Sequence, residues 1–321
     1  MKSGSKLERI LASGAFAVTA ELGPPKGTDV SVVQRKMGLL KGFCDAVNVT
    51  DNQTAIVRLS SVATCALLVR EGLEPVMQMT CRDRNRLAIQ ADIFGAVALG
   101  VRNILCLSGD HQRFGNHPTA KNVYDIDSIH LIRMVSRMRD EGLTEGGDPI
   151  EGPVPMFIGG AANPFGDPFD FRVIRLGKKV TAGADFIQTQ CIFDLPRFKE
   201  FMKRTVDAGL HEKVHILAGV MPLKSAGAGR YINANVAGIK VPDPLIARMA
   251  AAGKGQKARD EGIKITVEMI QELRQIEGVH GIHIMAVEWE EAIAPIVEMA
   301  GLLPRPTIED VPGEGSTESG S

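Results

Sequence analysis

Residues 75–110 read PVMQMTCRDRNRLAIQADIFGAVALGVRNILCLSGD and contain the structural unit that repeats along the chain. Two short apolar runs, PVMQMTC (75–81) and NILCLSGD (103–110), flank the segment NRLAIQADIFGAVALG, whose apolar residues recur with the period of a helix. A strand, a helix and a second strand in this order indicate two parallel strands joined by a helical crossover.

The same unit recurs because six more apolar runs are separated by segments of helical period. These runs are FAVTAEL (16–22), AVNVTD (46–51), PMFIGGA (155–161), FIQTQCIF (186–193), HILAGVMP (215–222) and GIHIMAVE (281–288). Eight apolar parallel strands predict an α/β protein whose sheet closes into a (β/α)8 TIM barrel. An open doubly wound sheet is the alternative. However, the turn after the first strand reads LGPPKGTD and lacks the Gly-x-Gly-x-x-Gly motif of a dinucleotide-binding sheet.

Length and composition together predict the domain organisation. A chain of 321 residues suits a single barrel, since barrel domains routinely reach about 250 residues or more. From residue 305 the sequence reads RPTIEDVPGEGSTESGS, which is polar and rich in Gly, Ser and Pro. We therefore expect one barrel domain over residues 1–304 and a disordered tail over residues 305–321.

Composition and charge exclude several classes of protein. Lys and Arg number 37 against 38 Asp and Glu, with no long run of one sign, so nucleic acid is not an expected partner. Ser, Gly and Glu interrupt the N-terminal apolar stretch before a signal-peptide core forms. No segment approaches the roughly 20 apolar residues of a bilayer span. These observations predict a cytoplasmic protein without membrane insertion.

The cysteines and histidines form no recognisable disulfide or metal pattern. The five cysteines are widely spaced without a CxxC pair, so we expect them to pack as small apolar residues. The seven histidines form no HxH pair, and no metal site is predicted.

Polar side chains stand at the C-terminal ends of the predicted strands, where a barrel core does not require them. They are Glu21, Thr50, Asp51, Gln78, Thr80, Asp110, Asn163, Gln188, Gln190 and Glu288. Two insertions, at about residues 111–126 and 223–241, also follow strand C-termini. Because the ligand site of such a barrel is built from the loops at this end, we predict a site contributed by several strands there.

Several of these positions allow two interpretations. Glu21 either bonds to a neighbouring loop or, if partly desolvated, has a raised pKa and donates a proton near neutral pH. Asp110 either caps the turn that follows it or interacts with a ligand. Gln188 and Gln190 lie on one face of their strand, and each amide must bond either to neighbouring strands or to a ligand.

Seven segments resemble, in order and position, those of methylenetetrahydrofolate reductases. They are AELGPPKGTD, VNVTDNQTA, MQMTCRDRNR, NILCLSGD, KKVTAGADFIQTQCIFD, AGVMPLKS and GIKVPDPLIARM. The resemblance covers about residues 15–302. It implies an enzyme that reduces a folate-bound methylene group to methyl by hydride transfer from a reduced flavin.

The resemblance also implies roles for particular residues. Glu21 corresponds to the glutamate that protonates the bridging nitrogen of the folate. Asp110 corresponds to the aspartate that lies between pterin and flavin, and Gln190 to the amide that bonds the pterin. Thr50 corresponds to a hydroxyl that contacts the flavin, and Lys179 to a lysine near its ribityl and phosphate groups.

The sequence departs from the family pattern at the implied flavin site. Gln78 stands where a histidine is common, and residues 163–168 read NPFGDP where many bacterial members have Tyr-Pro-x-x-His-Pro. Gln78, Asn163 and Asp167 are expected to contact the cofactor, without an aromatic stacking surface or a cationic donor at those positions. The pattern is similar to that of the shorter reductases of anaerobes, some of which work beside a separate electron-transferring subunit.

The implied substrate is a folate and the implied cofactor is FAD, with FMN as the alternative. Electrons are expected from NAD(P)H or from a partner protein, and the chain is expected to form a homo-oligomer or a hetero-complex. Three other functions stay open at this point: a folate- or pterin-binding barrel that transfers methyl groups, a flavin-free reductase, and a barrel subunit of an electron-transfer complex.

Overall fold

The computed structural model describes residues 1–236 and 238–307. Within them, eight parallel strands close into a barrel in sequence order, and the last strand pairs with the first. The strands are β1 (Ala17–Leu22), β2 (Ala46–Val49), β3 (Pro75–Thr80), β4 (Asn103–Leu107), β5 (Phe157–Ala162), β6 (Phe186–Cys191), β7 (His215–Val220) and β8 (Val279–Ile284). The predicted TIM barrel is confirmed.

Helices cover the outside of the barrel. In the described residues they are α1 (Lys6–Ala12), α2 (Val30–Leu40), α3 (Ser61–Arg70), α4 (Arg86–Ala98), α5 (Ser128–Asp140), α6 (Asp170–Thr181), α7 (Leu195–Asp207), α8 (Ala226–Asn235), α9 (Asp243–Ala251), α10 (Gln256–Leu273) and α11 (Ile293–Met299). Side-chain caps fix several helix starts: the Asn85 side chain accepts a hydrogen bond from the backbone N–H of Ala88 at the start of α4. Helices α2 to α7 each join two consecutive strands, which gives the alternation that the sequence predicts.

Most predicted runs extend past the strand that they contain. β4 ends at Leu107 and β8 at Ile284, so Asp110 and Glu288 lie in the loops beyond these strands. Glu288 has a left-handed backbone with φ of 50°. Asp110 and Glu288 therefore belong to the loops around the barrel mouth. Glu21, Gln78 and Gln190, by contrast, lie within their strands.

Apolar side chains fill the N-terminal half of the barrel interior. Phe157 and Phe186 stack with their ring centroids 5.2 Å apart. A Cβ at Gly159 would lie 2.3 Å from the Phe186 ring, so only glycine fits beside it. Leu7 and Ile10 of α1 belong to the same buried cluster. Helix α1 thus closes this end of the barrel, and the interior is available for a site only at the opposite, C-terminal end.

A polar layer lies inside the barrel above this apolar cluster. The amides of Asn48 and Gln188 exchange two hydrogen bonds, of 2.7 and 3.0 Å. The Thr19 hydroxyl lies 2.9 Å from Nδ1 of His283. All four side chains are buried. Because residues two apart on a strand point to the same side, the next inward positions on β1 and β6 are Glu21 and Gln190.

Both predicted insertions contain a short helix, and the first residue of the predicted tail bonds to the barrel. Residues 111–126 contain the short 3-10 helix Gln112–Phe114, whereas helix α8 lies within residues 223–241. Arg305, the first residue of the predicted tail, donates to Asp45 Oδ2 at 2.5 Å and to the Phe16 carbonyl at 2.8 Å. Residues 308–321 of that tail lie outside the described residues.

The five cysteines are free thiols, and four of them are buried, which supports their predicted packing as small apolar residues. Cys65, Cys81, Cys106 and Cys191 are buried and Cys44 is half-buried. Burial raises the pKa of Cys81 to about 12. None of the helices described in residues 1–236 and 238–307 combines the length and apolar character that a membrane span needs.

Candidate active site

A cavity of about 360 Å³ opens at the C-terminal end of the barrel and brings four predicted site residues together. Glu21, Gln78, Asp110 and Gln190 all line it, although they come from β1, β3, β6 and the loop after β4. We call it the central cavity. Convergence of polar groups from several strands at this end is what the barrel architecture predicts for a ligand site.

Glu21 contributes a carboxyl group with a raised pKa to the central cavity. Burial is the main cause that raises the pKa of its carboxyl group to about 7, and the nearby Glu290 carboxylate contributes to that rise. A hydrogen bond from Gln53, and the positive charges of Lys36 and Arg58, act in the opposite direction. The carboxyl group thus exchanges a proton near neutral pH, as a general acid must.

Gln53 is a site residue that the sequence interpretation missed. Its Nε2 donates a 3.1 Å hydrogen bond to Oε1 of Glu21. Gln53 lies in the loop after β2, where Asn52, Thr54 and Ala55 all have a left-handed backbone, with φ between 45° and 58°. A backbone of this kind is unusual for Thr and Ala, and the sequence does not indicate it at those two positions.

Asp110 faces the central cavity with its carboxylate free. The Asp110 side chain is exposed and makes no hydrogen bond with the described residues. Its backbone carbonyl accepts a 3.1 Å hydrogen bond from Nη1 of the buried Arg82, whose Nη2 also donates to the carbonyl of Asn52 at 3.2 Å. One guanidinium therefore ties the Asp110 loop to the loop of Gln53.

The two amides of β6 have different environments. Gln188 is buried and its amide is paired with Asn48, so it belongs to the polar layer inside the barrel. Gln190 is exposed, lines the central cavity, and its amide makes no hydrogen bond with the described residues. Gln78 also lacks a side-chain hydrogen bond within the described chain, although it is only 8% exposed. Because neither side-chain amide is paired within the described chain, Gln78 and Gln190 are the amides available to a ligand.

Asp51 and Thr80 also lie at the C-terminal end of the barrel, where their side chains bond to other protein groups. The Asp51 carboxylate accepts hydrogen bonds from Arg84 at 2.8 and 3.1 Å, and from the Thr80 hydroxyl at 2.9 Å. Asp51 is buried. A carboxylate with its oxygens already occupied holds the rim together and has little capacity left for a ligand.

A second cavity, of about 220 Å³, adjoins the central one and contains two more predicted residues, Asn163 and Lys179. Leu107, Ser108, Ala161 and Gln190 line both cavities. Arg172 and Arg175 join Lys179 in the lining, together with the hydroxyl residues Ser108 and Ser128. We call this the cationic cavity.

Lys179 is the buried cation of this cavity. Its Nζ donates a hydrogen bond to the carbonyl of Ala161. Burial, with a smaller contribution from the positive charge of Arg175, lowers the pKa of Lys179 to about 8. An anion placed in the cavity would stabilise this charge, so the cavity suits a phosphate-bearing ligand.

Two predicted site residues lie outside both cavities. Asp167 is 83% exposed at its side chain and forms an ion pair with Arg197 at 2.8 Å. Thr50 is buried, and its hydroxyl has no hydrogen-bond partner among the described residues. The structure thus brings six of the eight predicted site residues to the two adjoining cavities: Glu21, Gln78, Asp110, Asn163, Lys179 and Gln190.

Comparison with protein families matches residues 6–301 to the family described as methylenetetrahydrofolate reductase. Methylenetetrahydrofolate reductase 2 of Schizosaccharomyces pombe is 27% identical to the chain, and the match covers 94% of the chain and 48% of that protein. The 5,10-methylenetetrahydrofolate reductase of Pectobacterium carotovorum is 24% identical, and the match covers 91% of the chain and 92% of that protein. The chain thus spans about half the length of the fungal relative.

A solved structure supports the fold assignment. A protein from Clostridium thermocellum, described as binding two copies of 5-methyl-5,6,7,8-tetrahydrofolic acid, superposes with a TM-score of 0.63 at 12% sequence identity. The match covers 92% of the chain and 100% of that protein. At this identity the likeness concerns the fold.

Proposed function

Because the chain belongs to the methylenetetrahydrofolate reductase family, we propose that it reduces 5,10-methylenetetrahydrofolate to 5-methyltetrahydrofolate, with Glu21 as the general acid. One observation carries this proposal: a carboxyl group whose pKa is raised to about 7 lines a cavity beside a free carboxylate and free amides. The structural relative described as binding a methylated folate supports the choice of substrate class.

Glu21 performs the proton transfer of the proposed reaction. The substrate's one-carbon unit bridges two nitrogens, and this ring must open before the carbon can accept a hydride. Protonation of the bridging nitrogen makes it a better leaving group. A carboxyl group with a pKa of about 7 is about half protonated at pH 7 and still acidic enough to donate.

Asp110, Gln190 and Gln78 are the groups proposed to bind the pterin ring. A pterin presents adjacent N–H donors and a carbonyl acceptor along one edge. A carboxylate accepts from the donors, and an amide both donates and accepts. The absence of hydrogen bonds from these three side chains to the rest of the described chain leaves them available for this edge.

The cationic cavity fits the phosphate end of a flavin nucleotide. Lys179, Arg172 and Arg175 provide positive charge, Ser108 and Ser128 provide hydroxyl donors, and the cavity adjoins the central one. Among the described residues that line the two cavities none is Phe, Tyr or Trp, so stacking on one of these rings does not contribute there. A bound reduced flavin would supply the hydride. We propose FAD, with FMN as the alternative, and NAD(P)H or a partner protein as the source of electrons.

The test is an anaerobic visible spectrum of the purified chain with FAD or FMN added, before and after a reductant and then after methylenetetrahydrofolate. We expect the flavin band to bleach with the reductant and to return with the folate.

Lys179→Met should weaken flavin binding at least about tenfold, because removing a charge-assisted contact costs about 1.5–3 kcal/mol. The matched control is Lys178→Met, since Lys178 is exposed on the same helix.

The outcomes separate the proposed function from its alternatives. A flavin band that stays bleached after methylenetetrahydrofolate is added would exclude the substrate. If neither flavin binds but methyltetrahydrofolate still forms, the enzyme is a flavin-free reductase. If methyltetrahydrofolate binds and only donates its methyl group to an acceptor, the chain is a methyl-transferring barrel.

A further inference from the structure

We propose that Gln53 is the positioning residue of the Glu21 acid: its amide occupies one carboxyl oxygen and directs the transferable proton to the other. The inference deepens the proposed function and rests on it for the identity of the proton acceptor. The contact itself is a property of this chain and can be tested without substrate.

The geometry of the contact defines the two carboxyl oxygens. Gln53 Nε2 donates to Oε1 of Glu21 at 3.1 Å, and this is the one hydrogen bond of the Glu21 side chain among the described residues. An oxygen that accepts from an N–H group is the poorer place for a proton, because the two hydrogens would then crowd the same oxygen. The proton of the acid form therefore resides on Oε2, and Glu21 lines the central cavity.

The loop that presents Gln53 is strained and held in place from several sides. Asn52, Thr54 and Ala55 have a left-handed backbone, which is unfavourable for the side chains of Thr54 and Ala55. Arg82 holds the Asn52 carbonyl at 3.2 Å, and the Asn52 side chain accepts from the backbone N–H of Arg58 at 3.0 Å. Strain of this kind persists only where surrounding contacts hold the backbone in place. Here the strained backbone sets the position of Gln53.

Charged and titratable groups surround Glu21 from several other elements. They are Lys36 of α2, Glu290 of the short 3-10 helix Glu290–Ala292, Asp51 and Arg58 of the loop after β2, Arg82 of the loop after β3, Asp110 of the loop after β4, Cys191 of β6 and His283 of β8. Lys36 and Glu290 form a buried ion pair at 2.5 Å, which makes their fields partly cancel. Gln53 is the group that contacts the carboxyl oxygen directly, so its removal should change the acid more than removal of a more distant charge.

The hydrogen bond favours one direction of the proton transfer. When Glu21 donates, the O–H bond at Oε2 breaks, an N–H bond forms on the substrate nitrogen, and the carboxylate gains a negative charge. The Gln53 N–H group stabilises that charge at Oε1. Gln53 thus makes Glu21 a stronger acid than burial alone would allow.

The experiment is a ¹³C NMR titration of protein labelled at the glutamate carboxyl carbons, with the Glu21 signal assigned by its loss in Glu21→Gln. In Gln53→Met we expect the pKa of Glu21 to rise by about one unit, the value of a hydrogen bond to a charged group. The alkaline limb of the kcat/KM profile should move by the same amount, and KM should change little. Gln34→Met, an exposed position on α2, is the matched control.

An unchanged Glu21 titration in folded Gln53→Met would overturn the inference. If Gln53→Met does not fold, the side-chain ¹⁵N signal of Gln53 in the unmodified protein provides the second measurement, since it should follow the titration of Glu21. A Gln53 signal independent of pH between 5 and 9 would also overturn the inference. Absence of reductase activity in the unmodified protein would instead reject the proposed function, and both titrations would still test the contact.

Discussion

At the scale of single residues, the raised pKa that suits Glu21 to the proposed chemistry also lowers the stability of the folded protein near neutral pH. Its pKa is raised from 4.5 to about 7 by burial, so the folded state resists ionisation that the unfolded chain accepts freely. The stability that the protonated group provides is complete below pH 4.5 and is lost as the pH rises through about 7. Functional groups held in unfavourable environments commonly have this cost.

Glu21→Gln should therefore be inactive and more stable. We expect turnover to fall by at least about a hundredfold, the usual scale for loss of a general acid. At pH 8 the variant should gain on the order of 3 kcal/mol in the free energy of unfolding, because its amide does not ionise. Near pH 4.5 the gain should vanish. Urea unfolding at both pH values measures this.

Glu71→Gln, an exposed position at the end of α3, is the matched control and should change neither quantity. Turnover close to that of the unmodified protein in Glu21→Gln would refute the assignment of the acid. A stability gain that is equal at both pH values would show that the carboxyl group does not titrate in the expected range.

At the scale of elements, the loops after β2 and β4 pack closely against each other at the C-terminal end of the barrel. A Cβ at Gly115 would lie 1.8 Å from the carbonyl oxygen of Ala55, so the loop after β4 fits against the strained loop after β2 only with glycine there. Asn116 Oδ1 accepts from the backbone N–H of Val57 at 3.3 Å in the same contact. The loop that presents Gln53 is thus covered by a neighbour with no room for a side chain.

Gly115→Ala should separate these loops. We expect a loss of about 1–3 kcal/mol in the free energy of unfolding, the usual cost of overpacking, and a higher KM for the folate. Limited proteolysis within residues 111–126 should become faster. Gly27→Ala is the matched control, because a Cβ there meets nothing within 4 Å. Unchanged stability and proteolysis in Gly115→Ala would mean that the loops do not form this contact in solution.

The sequence predicted elements well and individual contacts less well. Periodicity located all eight strands, because apolar runs and helical segments alternate throughout. It also placed Gln188 and Gln190 on one face of their strand. It could not show that the Gln188 amide is paired and the Gln190 amide is free, because the partner Asn48 lies on another strand. Gln53 could not be found, since its position results from backbone strain and from the distant contact with Arg82.

At the scale of the whole molecule, the barrel has a chemical end and a structural end. Helix α1 and the Phe157–Phe186 stack fill the structural end, and the cavities lie at the other. His215 lies at the start of β7, at the structural end, with its ring centroid 5.0 Å from that of His280. Substitutions there should change stability without changing the chemistry of Glu21.

His215 makes the folded protein sensitive to acid. Burial and the neighbouring His280 lower the pKa of His215 from 6.5 to about 4, and its Nδ1 is buried without a partner among the described residues. His215 is therefore protonated in the unfolded chain at pH values where it stays neutral in the folded chain. The stability associated with neutral His215 is complete above pH 6.5 and is lost as the pH falls towards 4.

His215→Phe should remove this sensitivity. The ring can occupy the space beside Phe157, so we expect a change within about 1 kcal/mol at pH 8. At pH 5 the variant should be more stable than the unmodified protein by about 1–2 kcal/mol, because neither of its states gains a proton at this position. Urea unfolding at the two pH values gives the difference, with His117→Phe at an exposed loop position as the control. Equal effects at pH 5 and pH 8 would mean that His215 is protonated in the folded state. The pH dependence of kcat/KM should be unchanged in either case, because the histidine and Glu21 lie at opposite ends of the barrel.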